Sequence, residues 1–493
     1  MTKLDVLLVN PGDRRAQYQG LGDDLSAIEP PSLAALFATY LRMAGQSVEI
    51  VDAPALGWGP SEVAIKIPEA TLIVMVVYGF QPSASTQNMD CAYTTARCIK
   101  ALYPRSKILF TGTHPAALPA RTLNEEPDVD FVCSGEGPRT IAQLVVLLKA
   151  GRDDYKLVPD LWFRVGSFAA KSTASTSLIP DLAERMPGAA WDLLPMAKYR
   201  AHNWHAFGMP SRQPYASMHT SLGCPYKCTF CCINAPFGKS SYRMWTPASV
   251  VEELALLAGT YGVRNVKFVD EMFVLNRSHV LEICDGIMEK GLGEWLNIWA
   301  YARVDTVKDE YLERLRAAGV RWLALGIESA SKHVRDGVEK GRFGSEDIIK
   351  VVRKIQAAGI NVIGNYIFGL PDDTHDSMRQ TLDLALEANC EFANFYSAMA
   401  YPGSKLYTEA ISRGWKLPDS WIGYSQHSYE TTPLPTETLT GAEVLAFRDQ
   451  AFKEYFYSHA YLDMVKTKFG DAALDEIRVM LSHNLPRKIL ENA

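Results

Sequence analysis

The sequence predicts an α/β protein built from a doubly wound parallel sheet, a partial (β/α)6 barrel and a small helical C-terminal domain. Two observations predict this class. Short apolar runs alternate with helix-length segments over residues 1–150 and again from Ala216 to about residue 399. After residue 413 only helical patterns follow, from Thr440 to about His459 and again from Ala472 to Ser482. We therefore expect domains at 1–153, 206–412 and 413–493, with a connector at 154–205 between the first two.

The composition indicates a large globular protein. The chain has 493 residues, 47% of them hydrophobic and 22% charged, which is enough for about three domains. Its net charge of -6 and the lack of a dense Lys/Arg stripe argue against nucleic acid as a partner. The apolar runs are shorter than the ~20 residues of a membrane span, and no signal peptide precedes the first strand. Nine cysteines, three of them clustered, favour a reducing compartment, so we expect a cytoplasmic protein.

The N-terminal domain is predicted from five short apolar runs separated by helix-length segments. These runs lie at residues 5–10, 47–51, 72–77, 107–111 and 130–133. Their order predicts a Rossmann-like, doubly wound sheet. Ligands of such sheets bind beyond the carboxyl ends of the strands, so the loops after the first, third and fourth strands should border one crevice.

The loops of this crevice suit a large polar cofactor. Residues 79–86 supply a flexible turn and several hydroxyls, while residues 112–115 and 134–137 carry glycines that let the backbone approach a ligand. No Gly-x-Gly-x-x-Gly fingerprint follows the first strand, which disfavours a nicotinamide or flavin dinucleotide. The fold alone does not name the ligand.

The barrel is predicted from six further strands with helices between them. The strands are expected near 216–221, 265–270, 296–302, 321–327, 360–368 and 391–399, and the helices near 247–257, 279–290, 309–318, 345–358 and 376–388. Catalytic groups of such barrels lie on loops at the carboxyl ends of the strands. The loop after the first strand holds the most informative motif of the chain.

Three cysteines, Cys224, Cys228 and Cys231, lie on that loop. Their thiolates can hold three irons of a four-iron, four-sulfur cluster, and the fourth iron is then open to a small chelating molecule. A closed tetrahedral zinc site is the alternative, but this spacing supplies only three of its four ligands. Cys232 follows directly, and neighbouring side chains of extended backbone diverge, so a buried thiol is the simpler interpretation there.

This motif, with Phe230 before its last cysteine, resembles that of the radical S-adenosylmethionine enzymes. The segments 268–273, 326–329, 368–374 and 401–404 resemble signatures of the cobalamin-binding branch, and residues 30–36, 112–114 and 135–137 resemble its cobalamin domain. The resemblance implies three cofactors, namely a 4Fe-4S cluster, S-adenosylmethionine and cobalamin. It also implies an external electron donor of the flavodoxin or ferredoxin type.

The resemblance implies roles for residues at the strand ends. The three cysteines would bind the cluster. Glu271 would accept hydrogen bonds from the methionyl ammonium, unless it caps the next helix. Arg303 would pair with the methionyl carboxylate, unless it forms a structural ion pair with Asp305. Glu328 and Ser329 would bond the ribose or position neighbouring side chains. Gly364 and Asn365 would allow the backbone to approach the adenosyl group, unless they mark only a bulge.

For cobalamin the resemblance implies a set of loop residues, namely Gly79, Ser83, Ser85, Thr86, Gly112, His114, Gly135, Glu136 and Gly137. The Asp-x-His-x-x-Gly element that supplies an axial histidine in the cobalamin mutases is absent. His114 is a candidate replacement ligand of cobalt, and a hydrogen-bonding loop residue is the alternative. A degenerate domain that binds nothing also stays open.

The activity implied by the resemblance is methylation of an unactivated carbon of a small biosynthetic intermediate, through a 5'-deoxyadenosyl radical and methylcobalamin. A cyclisation or rearrangement without methyl transfer is an alternative, and an iron-sulfur electron carrier or binding protein is another. The sequence does not indicate the substrate. Cys390 and the aromatic stretch of Trp421, Tyr424, His427 and Tyr429 either border the substrate or only pack in the core.

Overall fold

The computed structural model describes residues 3–79, 81, 83–175, 178–341 and 343–491. Phe80 and Pro82 of the predicted cofactor loop lie outside the described residues.

The N-terminal domain is a seven-stranded sheet with the strand order β2-β1-β3-β4-β5-β6-β7. Its strands are β1 (Leu4–Asn10), β2 (Val48–Asp52), β3 (Ala70–Val76), β4 (Ile108–Thr111), β5 (Phe131–Cys133), β6 (Leu161–Val165) and β7 (Phe168–Lys171). The first five are parallel, and β6 and β7 are antiparallel to their neighbours. The doubly wound class is confirmed.

Helices cover both faces of this sheet. They are α1 (Arg14–Tyr18), α2 (Leu21–Asp24), α3 (Ser32–Met43), α4 (Ala53–Leu56), α5 (Pro60–Lys66), α6 (Ala84–Gln87), α7 (Met89–Leu102), α8 (Thr113–Ala117), α9 (Pro119–Glu125) and α10 (Pro138–Lys149). Helices α3 and α10 bury apolar residues on one face, and α5 and α7 bury theirs on the other. The β-strands are therefore nearly continuous apolar runs, as expected for a sheet that is buried on both sides.

The sheet continues beyond residue 153, where the sequence predicted the connector to begin. Strands β6 and β7 form a hairpin whose tip is Gly166 and Ser167. Edge strand β7 is exposed or half-buried along its whole length, and Phe168 is 77% exposed. This segment therefore lacks the apolar pattern by which the other strands were recognised.

The connector reaches the barrel through short turns rather than long elements. It contains α11 (Leu182–Arg185) and 3-10 turns at Trp191–Leu193, Met196–Lys198 and Trp204–Ala206. Glu253 of the barrel anchors it, because its Oε1 accepts hydrogen bonds from Ala189 N and Trp191 Nε1, both at 2.9 Å.

The barrel is a six-stranded sheet with the order β15-β14-β13-β12-β11-β8, and every neighbouring pair is parallel. Its strands are β8 (Tyr215–Met218), β11 (Asn265–Phe268), β12 (Asn297–Arg303), β13 (Val320–Glu328), β14 (Asn361–Phe368) and β15 (Phe392–Ser397). The predicted partial barrel is confirmed. Its edges are β8 and β15, so the sheet does not close on itself. A short antiparallel ribbon of β9 (Ser221–Leu222) and β10 (Arg243–Met244) flanks the cysteine loop.

Helices follow the barrel strands and continue into the C-terminal domain. They are α12 (Pro247–Tyr261), α13 (Arg277–Glu289), α14 (Asp309–Ala317), α15 (Lys332–Gly337), α16 (Ser345–Ala357), α17 (His375–Ala388), α18 (Lys405–Ser412), α19 (Gly441–Phe456), α20 (His459–Phe469), α21 (Asp471–Ser482) and α22 (Lys488–Glu491). Helix α20 was not predicted. Within the described ranges, no helix has the length and apolar character needed to cross a membrane.

Segments from outside the barrel cover its open side. The turn after α2 is held there by three arginines that donate to its backbone carbonyls: Arg14 donates to Gly22 and Ala27, Arg200 donates to Asp23, and Arg212 donates to Leu25. Cations at a helix C-terminus satisfy carbonyls that have no partner within the helix. This turn leads into Glu29, which enters the barrel.

Candidate active site

The cysteine loop is fixed at its start and in its middle by hydrogen bonds. At its start, the Asp270 carboxylate accepts hydrogen bonds from Thr220 N at 2.6 Å and Ser221 Oγ at 2.8 Å. In its middle, Thr229 N donates to Val338 O and Thr229 O accepts from Leu406 N. The loop is therefore held by residues far from it in sequence.

The three predicted cluster cysteines line one cavity of about 1350 Å³, here called the cysteine cavity. Burial raises the pKa of Cys224 to about 11 and also raises that of Cys231. Such thiols are protonated at neutral pH and become thiolates when a metal binds them. Cys232 lines the same cavity, and burial raises its pKa to about 12.

Glu271 lies between the cysteine cavity and a second cavity at the domain interface. Burial raises the pKa of its carboxyl to about 7. It does not cap the next helix, because Asn276 has that role and accepts a hydrogen bond from His279 N. The carboxylate is thus available to a ligand.

Arg303 reaches the cysteine cavity, but its guanidinium is already engaged. Its Nε and Nη2 bond Asp305 Oδ1 and Oδ2 at 2.9 and 3.1 Å, and it lies 4.0 Å above the Tyr226 ring. Its Nη1 is 3.7 Å from Cys228 Sγ. The structure therefore shows the ion pair with Asp305 and places the remaining donor beside a cysteine.

Glu328 lines the cysteine cavity and forms a buried ion pair with Lys340, with 2.5 Å between Oε1 and Nζ. The pKa of Lys340 is raised, because Glu328 and Cys228 outweigh the effect of burial. Gly326 makes room for this pair, since a Cβ there would lie 2.6 Å from Lys340 Nζ. Lys340 is a cavity residue that the sequence did not indicate.

Two of the other predicted residues of the S-adenosylmethionine site do not reach the cavity. Ser329 is fully buried, and its hydroxyl is 3.2 Å from that of Thr381. Gly364 makes room for the Tyr366 ring. Asn365 lines both the cysteine cavity and the barrel interior.

The cavity at the domain interface, here called the interdomain cavity, has a volume of about 640 Å³. The N-terminal domain contributes Tyr78, Gly79 and Thr113 from the carboxyl ends of β3 and β4. The barrel contributes Ser217 and His219. This is the edge of a doubly wound sheet at which ligands bind.

The predicted cobalamin residues separate into two groups. Gly79 lines the interdomain cavity, and Ser83 lines the cysteine cavity. The other seven are packed inside the N-terminal domain or against the connector, namely Ser85, Thr86, Gly112, His114, Gly135, Glu136 and Gly137. In this second group Glu136 pairs with Arg243 at 2.6 Å and accepts a hydrogen bond from Ile179 N at 2.8 Å. It thereby ties the domain to the barrel.

His114 is buried below the C-terminal segment. The Trp421 ring packs edge-on against it at 4.3 Å, and its Nδ1 is 3.3 Å from Thr86 Oγ1. Burial lowers the pKa of His114 to about 3, so the ring is neutral. His114 does not line the interdomain cavity.

A third cavity of about 1270 Å³, here called the lumen chamber, fills the barrel interior. Barrel residues such as Trp299 and Ile363 line it, and Tyr18, Trp204 and Phe452 close it from outside the barrel. Gln81 lines all three cavities. The cavities therefore meet at one point, although Gln81 belongs to no motif that would identify it from sequence.

Comparison with known protein families identifies both the barrel and the N-terminal domain. Residues 218–385 match the Radical SAM superfamily model, and residues 20–145 match the B12 binding domain model. The chain belongs to the cobalamin-dependent radical S-adenosylmethionine enzymes. The cofactors of this cobalamin-dependent radical enzyme are a 4Fe-4S cluster, S-adenosylmethionine and cobalamin.

Relatives of this radical enzyme cover most of its length. It is 29% identical to an uncharacterized methyltransferase of Pyrococcus horikoshii over 86% of this chain and 87% of the relative. It is 25% identical to an anaerobic magnesium-protoporphyrin IX monomethyl ester cyclase of Rubrivivax gelatinosus, over 94% of this chain and 79% of the relative.

Two solved structures share the fold of this radical enzyme. The methyltransferase TsrM of Kitasatospora setae, solved with cobalamin and a [4Fe-4S] cluster, has a TM-score of 0.64 at 19% identity and covers 84% of this chain and 75% of its own. OxsB, solved with aqua-cobalamin and S-adenosylmethionine, has a TM-score of 0.68 at 17% identity and covers 97% and 72%.

The residues of this radical enzyme fit the three cofactors. The cysteine cavity offers three thiols together with the cations Arg303 and Lys340, which suit an anionic cluster. Beside them, two carboxylates and an ammonium suit the charged and hydroxyl groups of S-adenosylmethionine. The interdomain cavity offers hydroxyl groups at the ligand-binding edge of the B12 domain sheet.

Proposed function

We propose that this protein methylates an unactivated carbon of a small molecule that binds between the cluster and the B12 domain. When bound, the reduced cluster would supply the electron that cleaves one S-adenosylmethionine to methionine and a 5'-deoxyadenosyl radical, which would take a hydrogen atom from the substrate carbon. Cobalamin would supply a methyl group taken from a second S-adenosylmethionine, which would leave as S-adenosylhomocysteine. Protein side chains position the reactants and exclude water.

The meeting of three cavities at Gln81 is the observation that supports this proposal most. The cysteine cavity and the interdomain cavity share Val269 and Glu271, and the lumen chamber adjoins both. A substrate in the chamber would therefore face the cluster side and the cobalamin side at once. This is the arrangement that hydrogen removal followed by methyl delivery to one carbon requires.

The residues of the cysteine cavity would hold S-adenosylmethionine by charge. Cys224, Cys228 and Cys231 would bind three irons. Glu271 would accept hydrogen bonds from the ammonium of the amino acid end, and Lys340 would attract its carboxylate. Glu328, fixed by Lys340, would accept hydrogen bonds from the ribose hydroxyls. Arg303 would support the cluster through Cys228 instead of holding the carboxylate.

A cyclisation or rearrangement is the second candidate. The relatives include both kinds of enzyme: the Pyrococcus horikoshii protein is named a methyltransferase, and the Rubrivivax gelatinosus protein is named a cyclase. The cavity residues support the radical step common to both. Methyl transfer is favoured because the relative with the higher identity of the two is named a methyltransferase.

We further propose that a flavodoxin or ferredoxin type protein supplies electrons to the cluster and that the enzyme works in the cytoplasm. Both proposals rest on the chemistry, because a cluster that cleaves S-adenosylmethionine must be reduced in every cycle and nine unpaired cysteines persist best in a reducing compartment.

The test is an anaerobic preparation, reconstituted with iron, sulfide and cobalamin and assayed with dithionite. Corrin absorbance in the purified protein, together with 5'-deoxyadenosine and S-adenosylhomocysteine, is the expected result. Cys224→Ala should lose iron and both nucleosides, while Cys284→Ala, a buried cysteine on α13, should keep them. 5'-Deoxyadenosine formed by a protein without bound corrin would exclude the methyl-transfer proposal. If Cys224→Ala still formed both nucleosides, the cluster assignment would be excluded.

A further inference from the structure

We propose that the lumen chamber binds a planar, uncharged ring system as the reacting part of the substrate. This inference rests on the proposed function, because it names the substrate class for the same site. It is drawn from the walls of the chamber, which come from this chain's own barrel, connector and terminal segments.

Aromatic rings form the floor of the chamber. Trp204 is in edge contact with Trp299 at 5.3 Å and stacks on Phe392 at 5.4 Å. Trp299 in turn is 5.0 Å from Tyr301. His202 also stacks on Trp204, and Lys267 Nζ lies 4.8 Å from the centre of the Trp299 ring. These rings therefore offer a ligand mainly their edges, and edge contacts favour another aromatic ring over an aliphatic chain or a phosphorylated sugar.

The charges in the chamber are neutralised within the protein. Lys267 Nζ is 3.1 Å from both carboxylate oxygens of Glu29, and the two side chains are 2% and 5% exposed. Arg448 donates to Asp449 Oδ1 and to Phe395 O, both at 2.7 Å. The chamber therefore presents paired charges to a ligand.

The remaining polar groups are neutral. Burial lowers the pKa of His202 and His427 well below the usual range, so neither ring is charged. The Asn365 and Asn394 amides bond each other at 3.0 Å across adjacent strands. Gln426 bonds both the N–H and the carbonyl of Ser397 at 2.9 Å. A charged ligand would lose its hydration and gain no countercharge, which disfavours it strongly.

Two planar dyes of similar ring size, one uncharged and one anionic, test the substrate class. Nile red is planar and uncharged, and 8-hydroxypyrene-1,3,6-trisulfonate is planar and highly anionic. Binding to the cofactor-loaded enzyme is measured by equilibrium dialysis, so that cofactors occupy the other two cavities. We expect Nile red to bind at least tenfold more tightly than the trisulfonate.

A substitution that fills the chamber shows where the dye binds. Ile363→Trp replaces a buried residue of the lumen wall, and Ile411→Trp makes the same change on the surface, where Ile411 is 56% exposed. Nile red affinity should fall at least tenfold in Ile363→Trp and stay unchanged in Ile411→Trp. Ala324→Leu, a smaller change in the same wall, gives the same comparison if Ile363→Trp does not fold.

Equal binding of the two dyes, or wild-type Nile red affinity in both chamber variants, would overturn the inference. The 5'-deoxyadenosine assay on the same preparations separates this result from a failure of the proposed function. Nucleoside formation by the wild type with a negative dye result rejects the substrate class alone. Dye binding in the chamber without nucleoside rejects the proposed radical function and, with it, the assignment of the ring as the reacting part of the substrate. Only ring binding by the chamber would then remain.

Discussion

Two cations of the cysteine cavity show how a residue's role depends on its neighbours. The family resemblance implied that Arg303 either binds the methionyl carboxylate or forms a structural ion pair with Asp305. In the structure its guanidinium bonds Asp305 and approaches Cys228. Lys340, which lies on a loop after α15, presents its ammonium to the same cavity. We therefore assign the carboxylate to Lys340 as a proposal.

Replacing Lys340 tests this assignment. Lys340→Met is made in a Glu328→Gln background so that no carboxylate is left buried and unpaired. The double variant should bind S-adenosylmethionine at least about tenfold, or about 1.4 kcal/mol, more weakly than Glu328→Gln alone. Equilibrium dialysis of the anaerobic, cluster-loaded protein measures this. Lys405→Met is the matched control, since Lys405 is an exposed lysine that bonds Glu339 beside the same loop. Equal affinity in the double variant and in Glu328→Gln alone would return the carboxylate to Arg303 or another cation.

The sequence predicted the site residues that lie on strand ends and short loops. The cysteine spacing and Glu271 were recognisable because strand, loop and residue are adjacent in the chain. Lys340 and Gln81 were not recognisable, because they reach the cavities only through tertiary packing. Ser329 was expected beside Glu328, but the positive φ of 65° at Glu328 redirects the chain there and Ser329 turns toward Thr381.

At the scale of elements, the strand ends of the B12 domain are packed very tightly. Gly112 follows β4 with a φ of 154°, and a Cβ at this position would lie 2.0 Å from Val77 O. This explains why Gly112 does not line the interdomain cavity. Its role is to let the chain after β4 cross close to the end of β3.

Gly112→Ala should therefore destabilise the protein through a backbone clash. We compare it with Gly57→Ala, which also changes a glycine of positive φ but has open space around its Cβ position. The melting temperature of Gly112→Ala should be lower than that of the control by roughly 6–12 °C, which corresponds to about 3 kcal/mol. Calorimetry or circular dichroism measures the difference. Equal melting temperatures would show that the β3 and β4 ends can separate without cost.

The half-buried carboxyl of Glu253 holds the connector to the barrel. Burial raises the pKa of Glu253 to about 7, although the N–H groups of Ala189 and Trp191 favour its ionised form. Because the folded-state pKa lies above that of the unfolded chain, stability is lost as pH rises from about 4.5 through 7. Glu253→Gln keeps an oxygen that can accept both hydrogen bonds and has no charge to bury.

The stability advantage of Glu253→Gln over the wild type should therefore grow between pH 5 and pH 8, to about 2 kcal/mol. Thermal unfolding at a series of pH values measures it. Glu252→Gln is the control, because Glu252 is the neighbouring exposed residue. A constant difference between the two proteins across this range would mean that Glu253 is ionised in the fold at pH 5.

The secondary structure was largely predictable, and the exceptions have a physical cause. All six barrel strands were found within three residues of their predicted ends, since each is a short apolar run between helices. The hairpin of β6 and β7 was missed because no residue of its outer strand is fully buried. Helix α20 was missed because it buries only Tyr461 and Val465, which leaves too weak a pattern to detect.

At the scale of the whole molecule, the segment at Trp421–Tyr424 joins the C-terminal domain to the B12 domain. Trp421 Nε1 donates to Glu125 at 2.9 Å, and Arg121 lies 4.4 Å above the indole ring. Ile422 N donates to Asp90 at 2.7 Å. The sequence left open whether this aromatic stretch borders the substrate or packs in the core. In the structure Trp421 forms a contact between domains, and His427 borders the lumen chamber.

Trp421→Ala should loosen this contact without unfolding either domain. Hydrogen exchange of the amides in 113–125 and 421–431 should become at least tenfold faster, because both segments lose the contact that covers them. Trp295→Ala removes an exposed tryptophan that contacts Arg264, and it should leave those amides unchanged. If exchange in both segments stays at the wild-type rate, other contacts hold the two domains together.

The cysteines and the segments that close the lumen chamber lie on different parts of the chain, and this separation has an evolutionary consequence. The cluster cysteines lie on the strand-and-helix repeats, whereas Tyr18, Trp204 and Phe452 come from the N-terminal, connector and C-terminal segments. Selection can remodel these covering segments while the radical-generating parts stay fixed. Proteins with this architecture can thus acquire new substrates when these covering segments change. A chimera that carries the covering segments of a relative would take that relative's substrate specificity while its barrel stays the same.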